Sequence, residues 1–173
     1  MPTLVLDPQP QELAALIERR RLLGQDLLDE VWEGVLHLNP APHGRHSHLQ
    51  QQLAELLGPL ARPPGWCRGG HIFNLGDAED YRVPDGGLLR PGPDAVYLST
   101  AALVIEIVSP GDESWNKLPF YAAHAVAEVL IVDPQTRSID LLALGERGEY
   151  TRAAHSSVIE LTRDALAGQI DWA

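Results

Sequence analysis

Two runs of apolar residues, each broken by a single carboxylate, dominate the polarity pattern of the chain: Pro93-Asp94-Ala95-Val96-Tyr97-Leu98 and Leu103-Val104-Ile105-Glu106-Ile107-Val108-Ser109-Pro110. Both have the length and composition of β-strands. The Ser99-Thr100-Ala101 connection between them is short enough for an antiparallel hairpin, which sets Leu98 against Ala102 and Asp94 opposite Glu106. Opposed Cβ atoms in a hairpin lie about 5 Å apart. Two carboxylates that close repel each other unless one holds a proton or a cation sits between them. The pattern therefore outlines a divalent metal site.

The flanking pattern supplies the rest of a fold. After Asp7-Pro8, a helical stretch places Leu13, Leu16, Ile17 and Leu23 on one face, with Gly24 as its stop. Val31, Trp32, Val35, Leu36 and Leu38 around Gly34 predict a β-hairpin, and from about His46 to Leu60 the residues Leu49, Leu53, Leu56, Leu57 and Leu60 have helical spacing until Pro63-Pro64-Gly65 ends it. Ile72, Phe73 and Leu75 suggest a strand, while Val83-Pro84-Asp85-Gly86-Gly87 has the composition of a turn. A short helix near Lys117 precedes strands at Glu128–Val132 and Ser138–Leu144, which are joined by an Asp133-Pro134-Gln135-Thr136 turn. The apolar residues Leu161, Leu166, Ile170 and Trp172 should fold the tail back onto the body. Strands interleaved with helices in this order predict an α+β or mixed-sheet α/β domain.

Composition narrows the setting. A length of 173 residues suits one domain with a core of its own, spanning residues 1–173. Cys67 is the only cysteine, so no internal disulfide can form and a reducing compartment is expected. No apolar run approaches the roughly 20 residues that cross a bilayer, and the N-terminus lacks a basic stretch followed by an apolar one, so a cytoplasmic protein without a membrane partner is expected. The net charge of −11 argues against a broad nucleic-acid-binding face, because Lys and Arg contacts to phosphate supply most non-specific affinity. Any such binding must be local or assisted by a metal.

Three positions carry candidate chemistry. Glu106 interrupts the apolar face formed by Val104 and Val108, and a buried Glu needs a partner or a cation. Asp94 is its hairpin partner, whereas Asp85, just before Gly86-Gly87, is explained by the turn. Lys117 falls at the start of the helix that follows the Glu106 strand, from where its ammonium could return toward the carboxylates and hold an attacking water. The Arg19-Arg20-Arg21 run is the densest basic cluster, read either as a solvated helix face or as a phosphate contact.

Taken in order, Pro93-Asp94-Ala95-Val96, Val104-Ile105-Glu106-Ile107-Val108-Ser109-Pro110, Lys117 with Tyr121 four residues on, and Ile131-Val132-Asp133-Pro134 resemble the Uma-type family of putative restriction endonucleases, a branch of the PD-(D/E)XK nuclease superfamily. Glu30 with Gly34, and Pro42 followed by His46 and a Leu-rich helix, extend the resemblance to roughly residues 28–145. The resemblance implies a restriction-endonuclease-like mixed β-sheet flanked by helices. It also implies Asp94 and Glu106 as ligands of Mg²⁺ or Mn²⁺, with the backbone carbonyl of Ile107 as a further ligand. The superfamily lysine two residues after the glutamate is replaced here by Val108, and Lys117 on the next helix takes its place in the Uma-type pattern. Glu30 and His46 match positions that the family tends to keep, and are additional candidates for touching metal or substrate.

The implied activity is metal-dependent hydrolysis of nucleic-acid phosphodiester bonds, DNA first among substrates, by a homodimer. A catalytically silent nuclease-fold module serving interaction or assembly is the alternative. A hydrolase for a smaller phosphodiester, better suited to the acidic charge, is a third.

Overall fold

The computed structural model describes residues 4–6, 13–69, 73–92, 95–109, 111 and 113–172. In chain order the first half contains β1 (Leu4–Leu6), α1 (Ala14–Leu22), β2 (Glu30–Trp32), β3 (Val35–Leu38), α2 (Gly44–Ala61), β4 (Cys67–Gly69), β5 (Asn74–Gly76) and β6 (Tyr81–Arg82). The second half contains β7 (Gly86–Leu89), β8 (Tyr97–Leu98) and β9 (Leu103–Ile107), then a 3-10 turn at Ser114–Lys117 that runs directly into α3 (Leu118–Ala123). It closes with β10 (Glu128–Asp133), β11 (Ser138–Leu144), β12 (Tyr150–Arg152) and α4 (Arg163–Ala167). The result is an α+β architecture built on two mixed sheets flanked by helices. Among the described residues, no helix is long and apolar enough to cross a membrane.

The larger core forms around a sheet of order β12-β11-β10-β9-β7-β4, in which only β9 and β10 run parallel. Every residue of β9 is buried because both faces of the strand are covered. Leu103, Ile105 and Ile107 pack against Leu49, Leu53 and Leu57 of α2 and against Leu161, Leu166 and Ile170 of the tail. Val104 faces the other way, into a cluster with Ile131 of β10 and Phe120 and Tyr121 of α3. A parallel step from β9 to β10 needs a crossover, which the 3-10 turn and α3 provide. That crossover carries Lys117 and Tyr121 onto the face of Glu106.

The second sheet has the order β1-β3-β2-β6-β5-β8, with β5 and β8 its parallel pair. Its β2–β3 hairpin closes through Glu33 and Gly34, which have φ of 51° and 84°. Two successive positive-φ residues match the right-handed twist of the flanking strands. Arg82 of β6 is buried between two rings, its guanidinium 4.4 Å from the Trp32 centroid and 4.0 Å from that of Phe120. This stack ties the second sheet to α3.

The helix at 46–60, the β2–β3 hairpin, the β10–β11 pair and the docked tail are where the polarity pattern puts them. Two expectations are corrected. The proposed hairpin between the two opening runs does not form, because β8 pairs in parallel with β5 in the second sheet while β9 lies between β7 and β10. The segment expected to be a turn at 83–87 instead enters β7, whose Gly86, Gly87 and Leu88 are buried. The helix expected after Asp7-Pro8 forms as α1, with no buried residue, and Leu16 and Leu23 are about half exposed at 50% and 57%. Local composition could not show which strands would cover these faces.

The glycines of β7 have a packing reason. A Cβ on Gly87 would sit 2.6 Å from the carbonyl oxygen of Leu103 and 3.1 Å from the Phe73 ring. Gly92 has only a carbonyl oxygen at 3.8 Å. Gly87→Ala should therefore cost about 1–3 kcal/mol, as overpacked cores do. Gly92→Ala should stay within about 0.5 kcal/mol of the parent. Chemical denaturation of the two variants checks this, and equal midpoints would refute it.

Candidate functional site

The site begins at the end of β9, where the alternation that buries Val104 also points Glu106 into the space beneath the crossover. Its carboxylate is 2% exposed. The ammonium of Lys117 donates to both of its oxygens, at 3.2 Å to Oε1 and 3.1 Å to Oε2. Tyr121, four residues after Lys117 and therefore on the same side of the turn, donates its hydroxyl to Oε1. Lys117 also reaches the second sheet, where its Nζ lies 2.9 Å from Oε1 of Glu30 on β2. The remaining contacts of Glu30 are the Val83 amide on Oε1 at 2.7 Å and the Trp32 indole on Oε2 at 2.8 Å.

A third carboxylate completes the group. Extending the Gly86–Ile105 register by one residue brings Asp85 beside Glu106. Asp85 Oδ2 accepts the amide of Ile107 at 2.7 Å, so the side chain continues the ladder where the strand leaves off. Oδ1 accepts from Nε2 of His46 at 2.8 Å, and Nδ1 of His46 faces Ser109 Oγ at 3.4 Å. His46 comes from the first turn of α2, and Gln50, one turn on, donates to the Asp85 carbonyl at 2.6 Å. The same pocket takes in Glu30, His46, Asp85, Glu106 and Lys117, with Pro40 and Pro42 among its apolar walls.

Burial sets the electrostatics. Loss of water is the largest influence on Glu106 and pushes its carboxyl up to about 8, with Asp85 and Glu30 acting in the same direction and Lys117 and Tyr121 opposing them. For Lys117, desolvation favours the neutral amine, yet Glu106, Glu30 and Asp85 outweigh it and hold the ammonium charged, above the usual lysine range. The Tyr121 hydroxyl is held well above its ordinary value by burial and by the Glu106 carboxylate. It remains a donor. Three carboxylates against one ammonium leave an excess of negative charge, and among the described residues no three His, Cys, Asp or Glu side chains form a ready metal cage.

The sequence-derived candidates divide accordingly. Glu106, Lys117, Glu30 and His46 come together in one pocket, and Ile107 contributes its backbone beside them. Asp94 lies outside the described residues, and the register argued for it is replaced by that of β7, which brings Asp85 to Glu106 instead. The available signal was the Gly86-Gly87-Leu88-Leu89 run, small and apolar enough for a buried strand directly after Asp85. Val108, where the superfamily lysine would stand, packs partly buried against the Val104 cluster. In the Arg19-Arg20-Arg21 run, Arg20 is committed to Asp29 at 2.8 Å.

A family model described as "Uma2: Putative restriction endonuclease" matches residues 12–170, nearly the whole chain. The chain belongs to the Uma2 family. Among solved structures, a putative nuclease of DUF820 from Anabaena variabilis ATCC 29413 is similar to it with a TM-score of 0.63 and 18% identity, over 82% of this chain and 90% of that one. At that identity the likeness concerns the fold. No curated protein matches the chain. Uma2 membership places it among restriction-endonuclease-like proteins, and the shared fold extends beyond the site to most of both chains.

Removing the shared cation should expose the cost of this arrangement. Lys117→Met leaves Glu30 and Glu106 buried without their common partner, and should destabilise by about 3–5 kcal/mol at pH 8. The loss should shrink at pH 5.5. Glu106 binds its proton more tightly in the fold than its ordinary 4.5 allows, so stability contributed by protonation grows as pH falls through about 8 and is complete below about 4.5. Urea titrations at the two pH values measure this, and an equal deficit at both would contradict it.

Proposed function

We propose that this chain is a metal-dependent nuclease that hydrolyses phosphodiester bonds, with DNA its principal substrate. The observation that carries the proposal is the convergence of Asp85, Glu106 and Lys117 at the adjoining ends of β7, β9 and the crossover, inside an open pocket. Asp85 takes the part that the sequence pattern assigned to Asp94.

The donor set fits a hard divalent cation. Asp85 and Glu106 offer carboxylate oxygens, the Ile107 carbonyl is a further candidate, and the chain offers no thiolate there. Mg²⁺ characteristically uses one or two carboxylates and completes its shell with water and substrate phosphate, so a full protein cage is not required. When bound, such a cation supplies Lewis-acid polarisation of the phosphoryl group and activation of water. His46 orients Asp85 through Oδ1, and Tyr121 fixes the rotamer of Glu106. Among the described residues that line the pocket, Lys117 is the only lysine or arginine, and it can donate to an attacking water or a phosphoryl oxygen. With a net charge of −11 over the chain, contact with a polyanion is restricted to this one point.

The test is cleavage of plasmid, single-stranded DNA and RNA with Mg²⁺ or Mn²⁺. Asp85→Asn and Glu106→Gln should each lower the rate by about 100-fold or more, several kcal/mol of transition-state stabilisation. Hydrolysis that needs no added metal, or that survives Glu106→Gln, would overturn the proposal.

A further inference from the structure

Glu30 is the buried acid in the pocket that the proposed chemistry leaves without a task. It comes from the other sheet, is 1% exposed, and three donors already hold it: the Val83 amide and Lys117 on Oε1, and the Trp32 indole on Oε2. An ionised carboxylate has about four lone-pair sites. With three donors on it, the group is well placed to hold a neighbour. Two of its three contacts lead into the site. Lys117 is one, and Val83, two residues before Asp85, is the other.

Lys117 meanwhile lies within 3.2 Å of both oxygens of Glu106. Any cation that takes one of those oxygens must share it with the ammonium or displace the ammonium from it. At 2.9 Å, Glu30 Oε1 gives the ammonium another carboxylate to rest on. We infer that Glu30 is a positioning residue for Lys117, the counter-ion onto which the ammonium withdraws when Glu106 engages a divalent cation. Glu30 thereby sets the metal affinity of the site without touching the metal. This deepens the nuclease reading and rests on it.

The inference makes a prediction that a simple ligand or a simple structural acid does not. In the otherwise native protein, Glu30→Gln removes the alternative seat, Lys117 competes harder for Glu106, and Mn²⁺ binding should weaken by about tenfold. In a Lys117→Met background there is no ammonium to reposition, and the same substitution should change affinity by no more than about twofold. Calorimetric titration of Mn²⁺ into the native protein, the two single variants and the double variant measures this coupling. Equal losses in both backgrounds would make Glu30 a ligand or a general source of negative charge, and no loss in either would make it structural. Each result overturns the inference.

Asp85→Asn and Glu106→Gln in the same titration keep the two levels apart. If both leave Mn²⁺ binding intact, the metal site itself is misplaced. If they abolish it while Glu30 shows no coupling, only the role of Glu30 fails. Should Lys117→Met not fold, the native protein with ¹⁵N-labelled lysine answers the same question. Titration with Mg²⁺ should shift the Lys117 ammonium resonance, and Glu30→Gln should reduce that shift at equal saturation. An ammonium signal unmoved at saturating Mg²⁺ would refute the withdrawal.

Discussion

One ammonium makes this structure possible. Lys117 stands between Glu30 of one sheet and Glu106 of the other, and all three are almost fully buried. Either carboxylate alone in that place would carry a desolvation penalty of several kcal/mol, and the two together would add their mutual repulsion. The cation offsets both. Because it arrives on the crossover between two parallel strands, the same contact sets the position of the 3-10 turn and α3 over the larger sheet. The Arg82 guanidinium between Trp32 and Phe120 repeats the arrangement a few residues away, with rings in place of carboxylates. Charge and stacking join the second sheet to the rest alongside the apolar contact that Leu75 of β5 makes with the Val104 cluster.

The parts of the fold readable from sequence are those decided by neighbours in the chain. The Leu49-Leu53-Leu57 stripe announces α2, and Asp133-Pro134-Gln135-Thr136 announces the turn between β10 and β11. Glu106 was legible for a related reason, since a lone carboxylate in an apolar strand demands an explanation wherever the strand sits. Its partner was not. Asp85 and Asp94 both follow proline, and counting along the nearer segment favours Asp94. The pairing of β7 with β9 joins residues 15 to 19 positions apart, and β8 goes to the other sheet, so neither follows from local pattern. His46 was visible as a candidate, but its attachment to Asp85 depends on how α2 lies across β9.

The ammonium comes to Glu106 from outside its own strand. On β9 the position two residues after Glu106 is Val108, which is taken up in packing against the Val104 cluster. The charge is supplied eleven residues after Glu106, from a different element, and reaches both oxygens of the same carboxylate. Tyr121, one helical turn further, rides on the same backbone and donates to Oε1 of the same carboxylate.

The two halves of the pocket are held by different obligations. Glu30, Lys117 and Glu106 are bound to one another by the cost of burial, so each substitution among them carries a stability cost whatever it does to chemistry. Asp85 and His46 are under no such compulsion: Asp85 is about one-fifth exposed and its bond to His46 closes no buried charge balance. Disturbing the Glu-Lys-Glu triad therefore reads out first in stability, while the Asp–His pair can be altered with the buried charge balance left in place.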